Sequence, residues 1–577
     1  MFDRRTILAF LLIGLILIFY DDYLRLIFPP PPPSPSDTTG AVTGEEEKEL
    51  THQISPQRAW ELKADEGEKR LQEISPAESV EERRIRVETE QIGVGLSSQG
   101  ARITSLTIKP TSHYLKEEIE LIPQPDSGAL GWRFWSYGGE VETANLSFIY
   151  ESSSPETLIT LRGDQERDVL FRAQLDSARS LVIRYRFKGR GFTFKCEVEG
   201  IGTEDLFVRD YEEVEWRGGL AYTERDTAQD QYYSQAYAYF VGDVLEEVKV
   251  SKKPHRTGPA TGKTRWIAIR NKYFLVAMIP EKEEGLAAWL ENPGFKDWQS
   301  KFYPNRLSAG MRLALRQGSP STGLQIYAGP LDAKLLRQVD PSLLKTMNWG
   351  WSVIAPISKA ILWGLKTLYH LIPNYGVAVI VFSILIKLFT WPLTQASSRS
   401  MVAMQRLQPK MQALREKYKN DPQRLNREIM KLYKEEKINP AAGCFPMLLQ
   451  LPVLYALFIV FRSTIEFRSA PFILWIKDLS MPDTLFHLPF TIPFYGDNVT
   501  LLPILMGIST YLQSKTSISD PNQKLFIYFM PVMMVVLFNS FPSGLTLYYT
   551  LFNVWSIVQY RLFPPPMVMV NKKLPAK

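Results

Sequence analysis

The chain has 577 residues, of which 45% are hydrophobic and 22% charged, and its formal net charge is +6. This length accommodates two or more domains, and so modest a net charge does not predict binding to nucleic acid. The two cysteines, Cys196 and Cys444, lie in a mixed-polarity segment and an apolar segment respectively, which excludes a disulfide framework. The five histidines and two cysteines show no metal-ligand spacing, so a metal site is not expected. No cofactor is predicted either.

The first 28 residues predict a membrane anchor. An apolar run from Ile7 to Tyr20 follows two arginines and precedes two aspartates. Its length fits either a short membrane helix or a cleaved signal peptide, but no small-residue cleavage site follows it. We therefore expect an uncleaved anchor whose N-terminus is cytoplasmic, with a cleaved leader as the alternative.

Residues 29–83 have the composition of a solvated linker. Five consecutive prolines, from Pro29 to Pro33, are followed by Ser, Asp, Thr and Gly residues and by an acidic run from Glu45 to Glu47. Such a segment cannot bury an apolar core, so it is predicted to be extended. Together with the anchor, it would place the next domain, residues 84–335, outside the cytoplasm.

The pattern changes to period two from about Arg84. Alternating apolar and polar residues, separated by Gly-rich and Asp-rich turns, predict many short antiparallel strands and therefore a large β-sandwich. The clearest strand segments are residues 84–89, 101–106, 181–187, 192–198 and 264–269.

An enzymatic role for this domain is the alternative, because it contains acids and aromatic rings that could act on a sugar. Glycoside chemistry needs two carboxyl groups at a defined separation, which a sequence does not reveal. Exposed acids and core aromatics explain the same residues, and the chain has no nucleophile elbow, phosphate loop or zinc motif. The residues concerned are Asp164, Asp168, Glu213, Asp226, Asp230, Trp132, Trp135 and Trp216.

Residues 336–372 return to helical spacing. Apolar and aromatic residues recur at intervals of three and four, with lysines on the opposite face, as is typical of an amphipathic helix. This helix could lie along the boundary between membrane and water and connect the sandwich to a helical bundle. Packing as a core helix of that bundle is the alternative.

A single lysine interrupts the next apolar segment, membrane span 2 (residues 373–394). Lys387 lies ~20 Å from Asn374 and ~12 Å from Gln395 along a helix. The side chain could snorkel to the nearer surface, or it could face a polar cavity inside the membrane. Polar side chains on several spans favour the cavity. They are Ser383, one turn from Lys387, and Gln450, Asn539, Asn553, Ser556 and Gln559.

Residues 395–440 predict a cytoplasmic helical hairpin. The segment contains eleven Lys or Arg residues against five acids, and basic loops remain on the cytoplasmic side. Apolar residues at intervals of three and four pair two helices, and Asn420 to Pro422 form the turn, with Asp421 as N-cap. The methionines of the first helix could bind varied peptides or could simply pack the hairpin together.

Residues 441–562 contain membrane spans 3–6. Their apolar segments are residues 441–461, 501–512, 525–541 and 544–562, which bring the expected total to six spans, and a short basic tail follows at 563–577. Alternation places both termini in the cytoplasm. The five C-terminal spans contain no Asp or Glu, and we see neither paired charges nor an inverted repeat, which argues against a solute transporter or lipid scramblase.

Ordered motifs in this region carry a resemblance to a known family. The chain resembles the YidC/Oxa/Alb membrane protein insertases, and its layout of anchor and large periplasmic sandwich is similar to that of the Gram-negative members. The motifs are Trp391-Pro392-Leu393-Thr394, Leu407-Gln408-Pro409-Lys410, Asn439-Pro440, Gly443-Cys444-Phe445-Pro446, Gln450-Leu451-Pro452, Ala470-Pro471-Phe472 with Trp475, and Phe541-Pro542-Ser543-Gly544-Leu545 with Tyr548-Tyr549.

The resemblance implies a fold and a function. The fold would be an α-helical polytopic membrane bundle, with one N-terminal anchor and a five-helix core, plus a periplasmic β-sandwich and the cytoplasmic hairpin. The function would be that of an insertase and chaperone for integral proteins of the bacterial inner membrane, not of an enzyme. In the family, a positively charged groove within the bilayer opens to the cytoplasm and is closed on the outer side.

The resemblance also implies where substrate binds. Lys387 aligns with the groove cation, which is commonly arginine in the family, and Ser383 and Tyr549 align with positions that contact the passing helix. Gln450 and Asn553 complete the predicted groove. The hairpin would receive the substrate first, through Met401, Met404, Arg406, Lys410, Met411 and Arg415.

The implied partners are nascent integral membrane proteins, the Sec translocon, the lipid bilayer and the ribosome. Ribosome contact is expected to be weak or made by cytoplasmic loops, because the chain ends at Lys577 without the long basic tail of some relatives. Direct contact with nucleic acid is not expected.

Overall fold

The computed structural model describes most of the chain from residue 81 onward, and these residues belong to one compact unit, Ala64–Lys577. The described ranges are 81–111, 114–123, 128–137, 139–151, 156–294, 306–316, 319–436, 445–493, 495–517 and 524–563. The expected anchor, linker and C-terminal tail therefore lie outside or almost outside the described residues, as do Asn439-Pro440 and Gly443-Cys444.

The described residues between 84 and 330 form twenty strands, and two more lie near residue 490. In chain order they are β1 Arg84–Glu88, β2 Ile92–Ser97, β3 Ile103–Ile108, β4 Ile119–Glu120, β5 Leu130–Ser136, β6 Gly139–Glu142, β7 Ile149–Glu151, β8 Leu158–Thr160, β9 Glu166–Gln174, β10 Ser180–Lys188, β11 Thr193–Ile201, β12 Tyr211–Trp216, β13 Gln235–Phe240, β14 Val244–Lys249, β15 His255–Arg256, β16 Ala260–Arg270, β17 Phe274–Pro280, β18 Gly285–Asn292, β19 Ser308–Ala314, β20 Ser321–Pro330, β21 Thr484–Ile492 and β22 Gly496–Thr500.

The first twenty strands form two sheets. The smaller sheet has the order β4-β3-β2-β1-β8, and the larger runs β6-β5-β12-β19-β18-β16-β17-β20-β11-β10-β9-β7, with β13, β14 and β15 branching from it. Every described pairing is antiparallel except that of β1 with β8. We call these two sheets the β-domain.

The two sheets pack around a common core. Val87 and Val94 of the smaller sheet and Phe171 and Ile183 of the larger sheet belong to one buried apolar cluster. Burying each such side chain stabilises the fold by roughly 1.5 to 3 kcal/mol. This is the packing of a sandwich, so the prediction of a large β-rich domain with period-two strands is confirmed.

Several of the acids and tryptophans considered for an enzymatic role have structural partners. Asp168 pairs with Arg186 at 2.8 Å, Asp226 caps a short helix, and buried Asp230 accepts hydrogen bonds from backbone amides. Trp132 and Trp216 lie in the core. The geometry therefore agrees with a structural role for these side chains.

Two adjacent acids on β12 lie on opposite faces of the strand. Glu212 is fully buried, accepts a hydrogen bond from the Thr322 hydroxyl, and has a second carboxylate oxygen with no partner among the described residues. Glu213 instead pairs with Arg312 at 2.9 Å and with Arg133 at 3.3 Å. Burial raises the pKa of Glu212 from 4.5 to about 8.

The Glu212→Gln substitution is expected to remove a pH-dependent loss of stability. Because the folded-state pKa of Glu212 is raised, the unfolded chain binds fewer protons between about pH 4.5 and pH 8, and stability falls as pH rises through this window. The penalty reaches about 3 kcal/mol at pH 7, at roughly 1.4 kcal/mol per pH unit. Thermal denaturation of the full-length protein, followed by tryptophan fluorescence at several pH values, measures it.

Glu213→Gln is the matched control for this prediction. It makes the same chemical change one residue away, but it removes two ion pairs, so it should lower the melting temperature at pH 7. A Glu212→Gln protein whose melting temperature keeps the wild-type dependence on pH would contradict the assignment.

Ten α-helices accompany the strands in the described residues. They are α1 Thr227–Tyr233, α2 Ala333–Val339, α3 Ile354–Leu371, α4 Tyr375–Arg406, α5 Gln408–Lys417, α6 Pro422–Glu435, α7 Phe445–Ser463, α8 Leu501–Ser517, α9 Lys524–Phe538 and α10 Ser543–Leu562. By length and composition, one helical segment of the described part could cross a membrane, Tyr375–Met404, and two shorter segments are also apolar, Gln450–Ser463 and Ile527–Phe538. The count of six spans stays a prediction.

The amphipathic helix expected within residues 336–372 is α3. Its residues Ile354, Ile361 and Leu365 are buried in the core shared by the helices, where α3 contacts α4 and α7. Trp363, on another face, is 72% exposed. The helix therefore packs as the bundle alternative describes, and its position at a membrane boundary stays a prediction.

The separate helices of the hairpin begin at Gln408, later than expected, while the boundary between membrane and cytoplasm at residues 394 and 395 stays a prediction. α4 continues without interruption to Arg406, through Pro392, so Met401, Met404 and Arg406 lie on α4 and not on a separate hairpin helix. The break comes near Leu407 because Pro409, at the start of α5, has no N–H with which to continue the helical ladder. The turn is as predicted, since Asp421 accepts a hydrogen bond from the Arg424 amide at 3.0 Å.

The β-domain contacts the loop that follows α7. Arg468 pairs with Glu224 at 2.7 Å and donates to the Tyr114 carbonyl at 2.8 Å, while Lys116 donates to the Ser469 carbonyl at 2.6 Å. Burial raises the pKa of Glu224 and outweighs the opposing effect of Arg468. The loop between α7 and β21 therefore joins the strands of the β-domain to the helices.

Candidate functional site

Polar residues of α4 lie along one face of an otherwise apolar helix. Ser383, Lys387 and Thr394 are spaced by four and seven residues, and this spacing aligns side chains along a helix. Their face meets α10, which packs against α4. We call this contact between α4 and α10 the polar seam.

Three hydrogen-bonded pairs cross the polar seam. The Trp555 indole donates to the Ser383 hydroxyl at 3.2 Å, the Lys387 ammonium donates to the Ser556 hydroxyl at 2.8 Å, and the Gln559 amide donates to the Thr394 hydroxyl at 3.2 Å. From one pair to the next, the residue numbers increase along both helices. The polar seam therefore joins two helices that run in the same direction.

Lys387 is buried at the centre of the polar seam. The residue is 6% exposed, and its ammonium lies 4.7 Å from the centre of the Phe552 ring, at a distance typical of a cation-π contact. Within the described residues, no carboxylate forms an ion pair with it. The side chain therefore turns toward α10, which agrees with an interior cation better than with a snorkelling one.

The other predicted groove residues lie elsewhere in the helices. Asn553 is buried and donates to Ser509 and Thr510 of α8, at 3.1 and 2.9 Å. Tyr549 is half-buried, with its ring 5.8 Å from that of Phe538.

Gln450, on α7, is half-buried, and its amide nitrogen has no hydrogen-bond partner among the described residues. The structure therefore brings Lys387 and Ser383 together, and links neither to Asn553, Tyr549 or Gln450 by a described hydrogen bond.

Sequence reasoning missed two members of the polar seam. Thr394 lies on the same helical face as Ser383 and Lys387, so extending the period by seven residues would have identified it. The sequence gives no comparable indication for Trp555. A tryptophan that donates a hydrogen bond to a buried serine and a tryptophan that only packs in a core occur in the same sequence pattern.

The predicted hairpin residues divide between two elements. On α5, Met411 is buried and its sulfur accepts a hydrogen bond from the Tyr433 hydroxyl at 3.5 Å, and Lys410 pairs with Glu436 at 2.5 Å. Arg415 and Met404 are partly buried. The contacts of Met411 agree with the packing role that was one of the two alternatives for the methionines.

In the part of the chain that the structure describes, no group of three His, Cys, Asp or Glu side chains is placed to hold a metal ion.

Comparison with known proteins covers both halves of the chain. Residues 84–364 match the family described as the YidC periplasmic domain, and residues 367–567 match the 60Kd inner membrane protein family. The matches define the class as inner membrane proteins with a β-rich periplasmic domain.

Curated relatives extend these matches over nearly the whole chain. The membrane protein insertase YidC of Chlorobaculum parvum is 34% identical over 565 residues, which cover 96% of this chain and 94% of the relative. That of Prosthecochloris aestuarii has the same identity and coverage. A solved structure of an active YidC insertase is 18% identical, covering 85% of this chain and 94% of that one, with a TM-score of 0.36.

The chain therefore belongs to the YidC family of membrane protein insertases. The resemblance predicted from the ordered motifs is confirmed, as is the inner-membrane class. Its curated relatives are named as insertases and not as enzymes, in agreement with the prediction.

Proposed function

We propose that this protein inserts and helps to fold integral proteins of the inner membrane, with the polar seam as part of a positively charged groove that opens to the cytoplasm. The observation that carries the proposal is the buried ammonium of Lys387, held by one hydroxyl and one ring face. A cation in a lipid-length helix costs roughly 2.5 to 3.5 kcal/mol on insertion scales, so its presence indicates a function.

The groove acts on the part of a substrate that lipid solvates worst. A short extracellular tail must cross the hydrocarbon core, where its backbone and carboxylates lack water. A carboxylate of the tail replaces Ser556 as the partner of Lys387 and gains the charge attraction that the ammonium otherwise lacks. A groove that reaches part of the way across shortens the barrier.

The surface beside Lys387 supports sideways release of the substrate. The next two residues of α4, Leu388 and Phe389, are 57% and 82% exposed, so an apolar surface adjoins the polar seam. A substrate helix that leaves the groove passes along this surface into lipid, driven by burial of its own apolar side chains.

The proposed function also includes partners on the cytoplasmic side and an orientation in the membrane. The hairpin of α5 and α6 receives the substrate on the cytoplasmic side, weakly assisted by the ribosome, and the protein works alone or with the Sec translocon. The termini are cytoplasmic and the β-domain is periplasmic. The excess of basic residues in the hairpin supports this orientation.

A series of substrates that differ only in tail charge tests the groove. Purified protein in liposomes is given a single-span test protein whose short tail is acidic, neutral or basic. The acidic tail is expected to insert about tenfold faster than the neutral one, equivalent to about 1.4 kcal/mol of attraction. Protein-free liposomes provide the background, and insertion rates that do not depend on tail charge would refute a cationic groove.

A further inference from the structure

The β-hairpin formed by β21 and β22 exposes apolar side chains on both of its faces. Leu485, Phe486, Phe490 and Ile492 are 46%, 55%, 61% and 38% exposed, and none of the nine residues of β21 is buried. Leu485 and Phe486 are adjacent on the strand, so they point to opposite faces, and both are exposed. Neither face of the hairpin therefore packs on a core.

Such a hairpin is not expected to be stable in water. Two isolated strands are marginal on their own, and a flat apolar strand exposed to water invites aggregation. β21 contains no Lys, Arg, Asp or Glu, the residues that usually protect an exposed strand, and its single titratable side chain is His487, near Asp497 at 3.7 Å. Its surroundings must therefore be largely apolar.

The structure holds the hairpin firmly at the end of two helices. Asn539, just after α9, donates to the carbonyls of Tyr495 and Asn498, both at 2.8 Å, and accepts from the Thr500 hydroxyl at 2.5 Å. Asp483, just before β21, accepts from the first two amides of α8, Leu501 and Leu502. Both strand ends are thus tied to helices that run into the bundle.

The exposed surface continues from the hairpin onto α8. This helix begins immediately after β22, and Ile504, Ile508 and Leu512 on it are 37%, 52% and 47% exposed. In an inner membrane protein, such a helical face contacts lipid chains. The apolar side chains of the hairpin lie at the N-terminal end of that face.

We propose that the hairpin of β21 and β22 binds lipid, with its apolar side chains inserted into the bilayer leaflet at the N-terminal end of α8. Two features favour lipid over a protein partner. The surface continues a lipid-facing helix, and β21 offers no Lys, Arg, Asp or Glu that could specify a protein partner. The proposal does not depend on the polar seam or on the direction in which the chain crosses the membrane.

A fluorescent probe on the hairpin tests this proposal. Phe490→Cys and, separately, Phe486→Cys are labelled with a nitrobenzoxadiazole dye in a full-length chain whose native cysteines are replaced. The protein is placed in vesicles of phosphatidylethanolamine and phosphatidylglycerol. We expect emission shifted to shorter wavelength, and loss of fluorescence when lipids carry a nitroxide on the upper acyl chain.

Val244→Cys is the matched control. Val244 is also an apolar strand residue, 53% exposed, but it lies on β14 of the β-domain. Its probe should be quenched by iodide in the water and not by the nitroxide lipids. Iodide quenching at both hairpin positions equal to that at Val244 would overturn the proposal, and so would protection from both quenchers, which would indicate a second copy or another protein as the occupant.

Discussion

Replacing Lys387 with glutamate is expected to abolish insertion of a test protein with an acidic tail, whereas Lys387→Arg should retain it. Reversing the charge at residue 387 turns the attraction of about 1.4 kcal/mol expected for an acidic tail into a repulsion of similar size, a net change of about 2.8 kcal/mol. A fall in rate of about a hundredfold or more follows, since each 1.4 kcal/mol is about tenfold. Lys387→Ala should lie between the two.

Insertion into liposomes measures this effect, with Lys359→Glu as the control. Lys359 lies on α3 and is exposed, so the same reversal of charge there should leave the rate nearly unchanged. If the Arg, Ala and Glu variants of Lys387 all insert at the wild-type rate, the lysine serves only packing. The mechanism would then be abandoned, although the family assignment, which depends on the sequence matches, would stand.

The second large effect concerns the ion pair between Arg468 and Glu224, which joins the loop after α7 to the β-domain. The two side chains are only 12% and 9% exposed. Arg468→Ala leaves Glu224 buried and unpaired, so it is expected to cost about 3 to 5 kcal/mol of stability. Thermal denaturation of the full-length protein in detergent, followed by tryptophan fluorescence, should show a marked drop in melting temperature.

A double-mutant cycle and an exposed pair provide the controls. Adding Glu224→Ala to Arg468→Ala removes the buried carboxylate that would lack a partner. The double variant should therefore be more stable than the sum of the two single effects implies. Arg316 pairs with Glu283 at the similar distance of 2.8 Å, but the side chains are 49% and 60% exposed. Arg316→Ala should therefore cost at most about 1 kcal/mol. Additive effects at Arg468 and Glu224 would show that the pair is not coupled.

The alternation of apolar and polar residues predicted the strands well. In a half-buried strand, the polarity of each residue indicates whether its side chain is buried. The segment 181–187 was predicted from alternation alone, and β10 spans Ser180–Lys188. The order of the strands was not predictable. β12 pairs with β19, about a hundred residues later, and no local property of either strand encodes that pairing.

The candidate site was predictable in part for the same reason. Lys387 stands out because a cation in an apolar segment is costly wherever the helix packs. Its partner Ser556 depends on how α4 meets α10, a contact between residues far apart in the chain. The helix α4 was predicted to end near residue 394, where the composition changes from apolar to basic. Such a change indicates different surroundings for the side chains, not an end of the helical backbone, and α4 continues to Arg406.

The continuity of α4 has a mechanical consequence. The helix has 32 residues and is therefore a rod of ~48 Å. Lys387 lies in its first half, and the helical hairpin of α5 and α6 is attached to its C-terminal end. Pro392 removes one backbone hydrogen bond, which makes it the most flexible point of the rod. A force on the helical hairpin of α5 and α6 should bend the rod at Pro392. The hydrogen bond between Thr394 and Gln559, which lies on the C-terminal side of Pro392, would then break before the hydrogen bond between Lys387 and Ser556.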